Sequence, residues 1–204
     1  MLKSNTVTSP RDIHQSVIDV LKGNTAKTKG VTKSLRLDED ILRKIDQQAT
    51  NSNNSLNAEI NNILRKYVDW DMFASKVGMI PIARPILSEI FQNVMTKEQV
   101  IDLADKVAKN IVSEIVLFTK GSLTLESFFS WLKTRMQYCS AVNYWVEDNY
   151  NSISPQIKVI FKHDMGENWS LYHKIIIEHI FYEILGKKEV ETEISGTTIS
   201  LCFS

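Results

Sequence analysis

The stretch VTKSLRLDEDILRKIDQQATNSNNSLNAEINNILRKYV, residues 31–68, decides how the chain is read. Its first seven residues alternate: Val31, Lys33, Leu35 and Leu37 fall on one side and Thr32, Ser34 and Arg36 on the other. That is the period of two of a β-strand with one buried face, interrupted on its apolar side by Lys33. Asp38 then stands at a helix N-cap position, with Glu39 and Asp40 in the first turn to suit the helix dipole. Ile41, Leu42, Ile45 and Ala49 form an apolar stripe, which predicts a helix of about three turns. TNSNN, residues 50–54, ends it, because asparagine adopts the left-handed conformation that glycine more often supplies there. Ser55 caps a second helix, in which Ile60, Ile63, Leu64, Tyr67 and Val68 keep helical spacing and Arg65 and Lys66 fall near the end.

Physics alone sets a condition on this segment. One strand and two short helices bury too little apolar surface to be stable by themselves, and pairing two copies is the simplest remedy. Residues 34–68, about a sixth of the chain, resemble the ribbon-helix-helix family of DNA-binding proteins. The likeness lies in the alternating strand, the Leu-Asp-Glu-Asp junction at 37–40, the stripe of the first helix and the Ser-x-x-x-Glu-Ile-x-x-x-Leu-Arg-x-Tyr pattern from Ser55 to Tyr67. The inter-helix turn carries no glycine, and Leu56 stands where the family commonly has a basic residue.

The resemblance implies an obligate homodimer whose two strands form an antiparallel ribbon in the major groove of double-stranded DNA. Leu35 and Leu37 then face the helices, while Thr32, Ser34 and Arg36 are the expected base contacts. Arg36 discriminates best, because a guanidinium bonds guanine O6 and N7 together. Ser55, Leu56 and Asn57, at the start of the second helix, are the expected phosphate contacts, with Lys27, Lys29 and Lys33 adding sequence-independent attraction. A solvated strand face is the plainer reading of Thr32, Ser34 and Arg36. A solvated linker is the plainer reading of the lysines.

Charge distribution separates the two ends of the chain. The 204 residues balance 24 basic against 24 acidic side chains. Residues 1–37 nevertheless carry seven basic and two acidic residues, and residues 71–204 carry 13 and 16. This asymmetry, with ordinary globular composition, points to two modules. Residues 10–22 show helical spacing at Ile13, Val17, Val20 and Leu21, and GNTAKTKG follows as a polar basic arm. The N-terminus lacks the apolar run of a secretory signal. Cys139 and Cys202 suggest neither a disulfide framework nor a zinc site, so the expectation is a cytoplasmic protein with no membrane association.

Beyond Trp70 the pattern changes. Ile86, Leu87, Ile90 and Val94 follow Pro81 and Pro85 as a helix. Thr96 and Gln99 make a capping box before a longer helix striped by Val100, Leu103, Val107, Ile111, Ile115 and Phe118 and closed by Gly121. Residues 124–138 read as a third helix. AVNYWVED and QIKVIFKH are β-rich, the segment from Asn168 is helical, and KEVETEIS with TTISLCFS makes a hairpin about Ser195 and Gly196. The expected fold class is α+β. An arm with a short helix (1–30) precedes a dimeric β-α-α ribbon-helix-helix domain (31–72). A C-terminal α+β sensor or oligomerisation domain (73–204) then combines a helical segment with a β-β-α-β-β unit.

His163, Asp164, His173 and His179 are the chemically notable residues of the C-terminal part. The six-residue spacing of His173 and His179 points them apart on a helix, so no metal site is assigned, and Asn168 or Ser170 is expected to cap that helix over a buried Trp169. No nucleophile elbow, Walker loop or dinucleotide motif occurs, so neither catalytic residues nor a cofactor are assigned. Tyr144, Trp145, Trp131, Phe128 and Phe129 suit a core or a ligand pocket. The expectation is a sequence-specific DNA-binding transcriptional regulator, repressing by occupying a promoter, with an unidentified ligand or protein partner at the C-terminal domain left open. An antitoxin or partition-type DNA-binding protein, and a protein-interaction or signalling module that only dimerises, are the competing expectations.

Overall fold

The computed structural model describes residues 10–23, 30–140, 143–149, 156–186 and 190–203. The chain forms two compact units, one of residues 26–80 and one in which residues 1–25 join residues 81–204. Helix α1 (Pro10–Lys22) therefore belongs to the larger unit and not to a free N-terminal arm. Its apolar face explains this: Val17, Ile18 and Leu21 are all buried, packed with the helix at residues 125–135.

In the smaller unit, residues 30–38 take no regular secondary structure, so the strand expected over 31–37 does not form within the chain. A strand exists by hydrogen-bonding to a neighbour, and every strand among the described residues lies in the sheet of the other unit. Val31 and Leu35 are 79% and 65% exposed. Helix α2 (Glu39–Asn51) starts as expected after an extended Asp38, whose carbonyl accepts from Leu42 N at 2.9 Å, although its side chain makes no capping bond. Asn53 turns the chain with φ +52°, and Asn54 N reaches back to Ala49 O at 2.8 Å. Helix α3 (Leu56–Lys66) begins under the Ser55 side chain, which accepts from Ala58 N at 3.2 Å. The helix widens through a π-type turn at Tyr67–Asp71 and ends in the short α4 (Met72–Ala74).

The larger unit resumes with α5 (Arg84–Glu89) and a π-type turn at Ile90–Val94. The expected capping box of Thr96 and Gln99 then opens α6 (Lys97–Val107), which passes through a π-type turn at Ala108–Val112 into α7 (Ser113–Lys120). Gly121 closes it at φ +75°, a left-handed residue as expected. Helix α8 (Leu125–Arg135) leads to strand β1 (Asn143–Asn149), β2 (Gln156–Lys162), helix α9 (Glu167–His179), β3 (Val190–Ser195) and β4 (Thr198–Phe203). The strands form one antiparallel sheet in the order β1-β2-β4-β3. The α+β class is therefore observed.

Alternation puts Ile157, Val159 and Phe161 of β2 and Ile199, Leu201 and Phe203 of β4 into the core. There they meet Phe128, Phe129 and Phe181, with the Phe129 and Phe203 rings stacked at 5.1 Å. Along α6 and α7 the fully buried residues are Val100, Ala104, Ala108, Val112 and Val116; of the expected stripe Val100 is among them, and Leu103, Val107 and Ile115 are half-buried against the core. Ile111 and Phe118 are exposed. Small residues let this helix approach α9 closely, and the π-type turn adds a residue that rotates the later half about the axis.

At the C-terminal end of α1, Lys133 Nζ donates to Val20 O at 2.9 Å, and burial holds its amine below the usual lysine range. Truncating Leu21 to Ala is expected to cost the larger unit about 2–5 kcal/mol in a urea unfolding experiment. A loss below about 0.5 kcal/mol contradicts the packing of α1 in that core.

Candidate nucleic-acid interface

Thr32, Ser34 and Arg36 are all solvent-exposed on the irregular segment before α2, as is Lys33. Lys27 and Lys29 lie outside the described residues. Ser55 is engaged as the α3 cap, and the backbone N–H groups of Leu56 and Asn57 occupy the first turn, where no intrahelical carbonyl reaches them. Asn57 also accepts at its backbone carbonyl from Asn61 Nδ2 at 2.8 Å.

The fixed point of this unit is Glu59, which sequence reading treated only as part of a pattern. Its carboxylate is 5% exposed and accepts from Gln48 Nε2 at 2.7 Å and from Asn54 Nδ2 at 3.0 Å. One side chain thus ties α2, the turn and α3 together. The sequence signal was the pairing of an amide-rich turn with a glutamate at the fourth residue of the following helix. Charge-assisted bonds of this kind are short and stronger than neutral ones.

Around that node the large apolar residues are half-buried at most. Ala49 is the one fully buried apolar side chain among the described residues of 26–80. Leu35, Leu37, Ile41, Leu42, Ile63, Leu64, Tyr67 and Val68 are exposed. Full burial of each large side chain stabilises by about 1.5–3 kcal/mol, so the face as laid out forgoes most of the energy its pattern encodes.

In the larger unit the histidines are built into the fold. Met165 N donates to His163 Nδ1 at 3.1 Å, so Nε2 carries the proton and donates to Ser170 Oγ at 2.9 Å. Ser170 in turn donates to Gly196 O at 2.8 Å. In this tautomer His163 accepts no proton from the serine, and the pair is not a base and nucleophile. His173, 1% exposed, donates from Nδ1 to Trp169 O at 3.0 Å and accepts at Nε2 from Arg135 at 3.1 Å. Both ring nitrogens of each histidine are therefore occupied, and among the described residues no group of three His, Cys, Asp or Glu side chains is placed to hold a metal ion.

Asp164 pairs with Arg84 at 3.0 Å on the surface, and His179 is half-buried on α9. Neither Asn168 nor Ser170 caps α9. Gly166 starts it, and Asn168 Nδ2 donates to Phe91 O at 2.7 Å and Met95 O at 3.2 Å. Trp169 is buried as expected. Phe128, Phe129 and Trp131 are core residues, while the side chains of Tyr144 and Trp145 lie outside the described set. Among the described residues, no helix is long and apolar enough to cross a membrane.

Comparisons with protein-family models, with curated proteins and with solved structures found no match for this chain.

Burial, followed by the Arg135 charge, pushes the His173 imidazole down to about 3, and burial also lowers His163. Both rings gain a proton on unfolding at any pH between their folded values and about 6.5. Stability is then complete above pH 6.5 and declines as pH falls towards 3, by about 1.4 kcal/mol per pH unit for each ring that stays neutral when folded. Urea midpoints between pH 7 and pH 4 are expected to show this slope, and His173→Gln, which keeps an acceptor but cannot titrate, is expected to flatten it. An unchanged slope in the variant refutes the assignment.

Proposed function

We propose that this protein is a dimeric, sequence-specific DNA-binding regulator whose residues 31–68 act as a ribbon-helix-helix module. The observation that carries the reading is the helix pair α2–α3: it is fastened by Glu59 and exposes Ile41, Leu42, Ile63, Leu64, Tyr67 and Val68 beside the irregular segment 30–38. Half of an intertwined dimer has this appearance when one chain is considered alone. Two copies side by side bury Leu35, Leu37, Ile41, Leu42, Ile63 and Leu64 together, and they give residues 31–37 the strand neighbour that neither copy possesses.

In that dimer, alternation turns Thr32, Ser34 and Arg36 away from the helices and towards the major groove. Arg36 supplies a bidentate donor to guanine, and Thr32 and Ser34 supply hydroxyls that bond any base. The first-turn N–H groups of Leu56 and Asn57 bind a backbone phosphate on each side and fix the register. Lys33 contributes charge without sequence preference. Occupation of a promoter by such a dimer represses transcription from it.

Selection of duplexes from a random pool, followed by binding measurements at two salt concentrations, tests this. A selected duplex is expected to bind with affinity that falls steeply with salt. Arg36→Ala is expected to cost about 1–3 kcal/mol on that duplex and to relax its sequence preference at one position, whereas Lys33→Ala weakens all duplexes alike and lowers the salt slope by about 1. Enrichment of no sequence, or an Arg36→Ala and Thr32→Ala double variant that binds as well as the parent, contradicts the proposal and leaves a module that only dimerises.

A further inference from the structure

We propose that the larger unit carries a binding site for a small oxyanion, a carboxylate or phosphate group, at Trp131 and Arg135, one turn apart on α8. This site is separate from the residues assigned to DNA and does not rest on that reading.

Arg135 is a half-buried cation without an acidic partner: none of the ion pairs among the described residues includes it. Its contacts are a neutral acceptor, His173 Nε2 at 3.1 Å, and the ring of Trp131, whose centroid lies 5.6 Å from the guanidinium carbon. A guanidinium carries five N–H donors, and one hydrogen bond to an imidazole leaves most of them to be satisfied. Buried or half-buried arginines ordinarily meet a carboxylate.

A second, independent feature lies on the same pair of side chains. The Trp131 indole N–H is buried and has no acceptor among the described residues, although buried donors are almost always paired. The unmatched donor and the unmatched cation belong to neighbouring side chains, the guanidinium carbon lying over the indole 5.6 Å from its centroid. A carboxylate or phosphate supplies acceptor oxygens and the missing negative charge in one group. Water supplies only the first of these.

The surroundings strengthen such a contact. His173 is flanked by the rings of Trp169 at 4.7 Å and Tyr172 at 5.1 Å, and Phe91 packs edge-on to Trp169 at 4.8 Å. This aromatic wall keeps the local dielectric low, where a charge-assisted bond is worth more than in water. His173 bonds both Trp169 O and Arg135, so the cation is held in place before an anion arrives.

NMR of the full chain tests the site through its own donor. The four tryptophans give four indole N–H signals, and Trp131→Phe identifies the relevant one. Sodium acetate and sodium phosphate are titrated in separate arms, with sodium chloride at matched ionic strength as the control. The Trp131 signal is expected to move saturably with at least one of the two anions and not with chloride. A response to acetate alone assigns a carboxylate ligand, and a response to phosphate alone assigns a phosphate. Arg135→Gln is expected to weaken the responding anion about tenfold or more, and Arg135→Lys, which keeps the charge but loses the fork, by less. Absence of a saturable shift in the wild-type protein overturns the proposal whatever the variants do. An affinity unchanged in a folded Arg135→Gln or Arg135→Lys variant also overturns it.

Discussion

Apolar surface left exposed within residues 26–80 is the constraint on which the smaller unit depends. Two helices of 13 and 11 residues meet at Ala49 and Glu59, and nothing else in residues 26–80 is fully buried among the described side chains. Local chemistry shapes the pair: the Ser55 cap, the left-handed Asn53 and the Gln48–Glu59–Asn54 node set the turn and the helix ends. None of these removes a leucine from water. A helix pair of this size draws most of its stability from tertiary packing, so the energy that makes it persist comes from outside the segment. This is the physical basis for placing a second copy against it.

The larger unit obeys the opposite rule. Its sheet, α9, α6, α8 and α1 close around a continuous aromatic and aliphatic core, and buried polar groups are paired along His163, Ser170 and Gly196 and along Trp169, His173 and Arg135, while the Trp131 indole N–H, Ser113 Oγ and Thr192 Oγ1 have no partner among the described residues. Chains of this kind hold secondary elements at fixed angles. The chemistry proposed for this unit is recognition of charge at Arg135.

Much of the fold was legible in the sequence where a signal was local. Ser55, the Thr96–Gln99 box, Gly121 and the turn between β3 and β4 stand where short-range rules put them, because caps and turns are decided by residues that touch within a few positions. Three features were not local and were misread. The buried line of α6–α7 shares Val100 with the expected stripe and then runs through small residues beside it, leaving Ile111 and Phe118 exposed, since packing against α9 and an inserted π-type turn decide which side faces inward. Helix α1 looked like part of a basic arm because its partner α8 lies over a hundred residues away, as the Lys133–Val20 bond shows. Glu59 stood in the sequence only as one position of a pattern, and only the folded turn brings two amides to it. The strand expected at 31–37 is a case of its own, because its alternation specifies a face but no strand among the described residues hydrogen-bonds to it.

The account is tested most directly by the distance between two copies of residue 34. With Cys139 and Cys202 replaced by serine and a nitroxide placed on Ser34→Cys, pulsed dipolar spectroscopy of the full chain reports that separation. Paired strands lie about 4.8 Å apart. With the reach of two labels added, the account therefore predicts one narrow distribution below roughly 25 Å. Spin pairs far beyond that range, or isolated spins in a monomeric protein whose α2 and α3 are nonetheless folded, would contradict it.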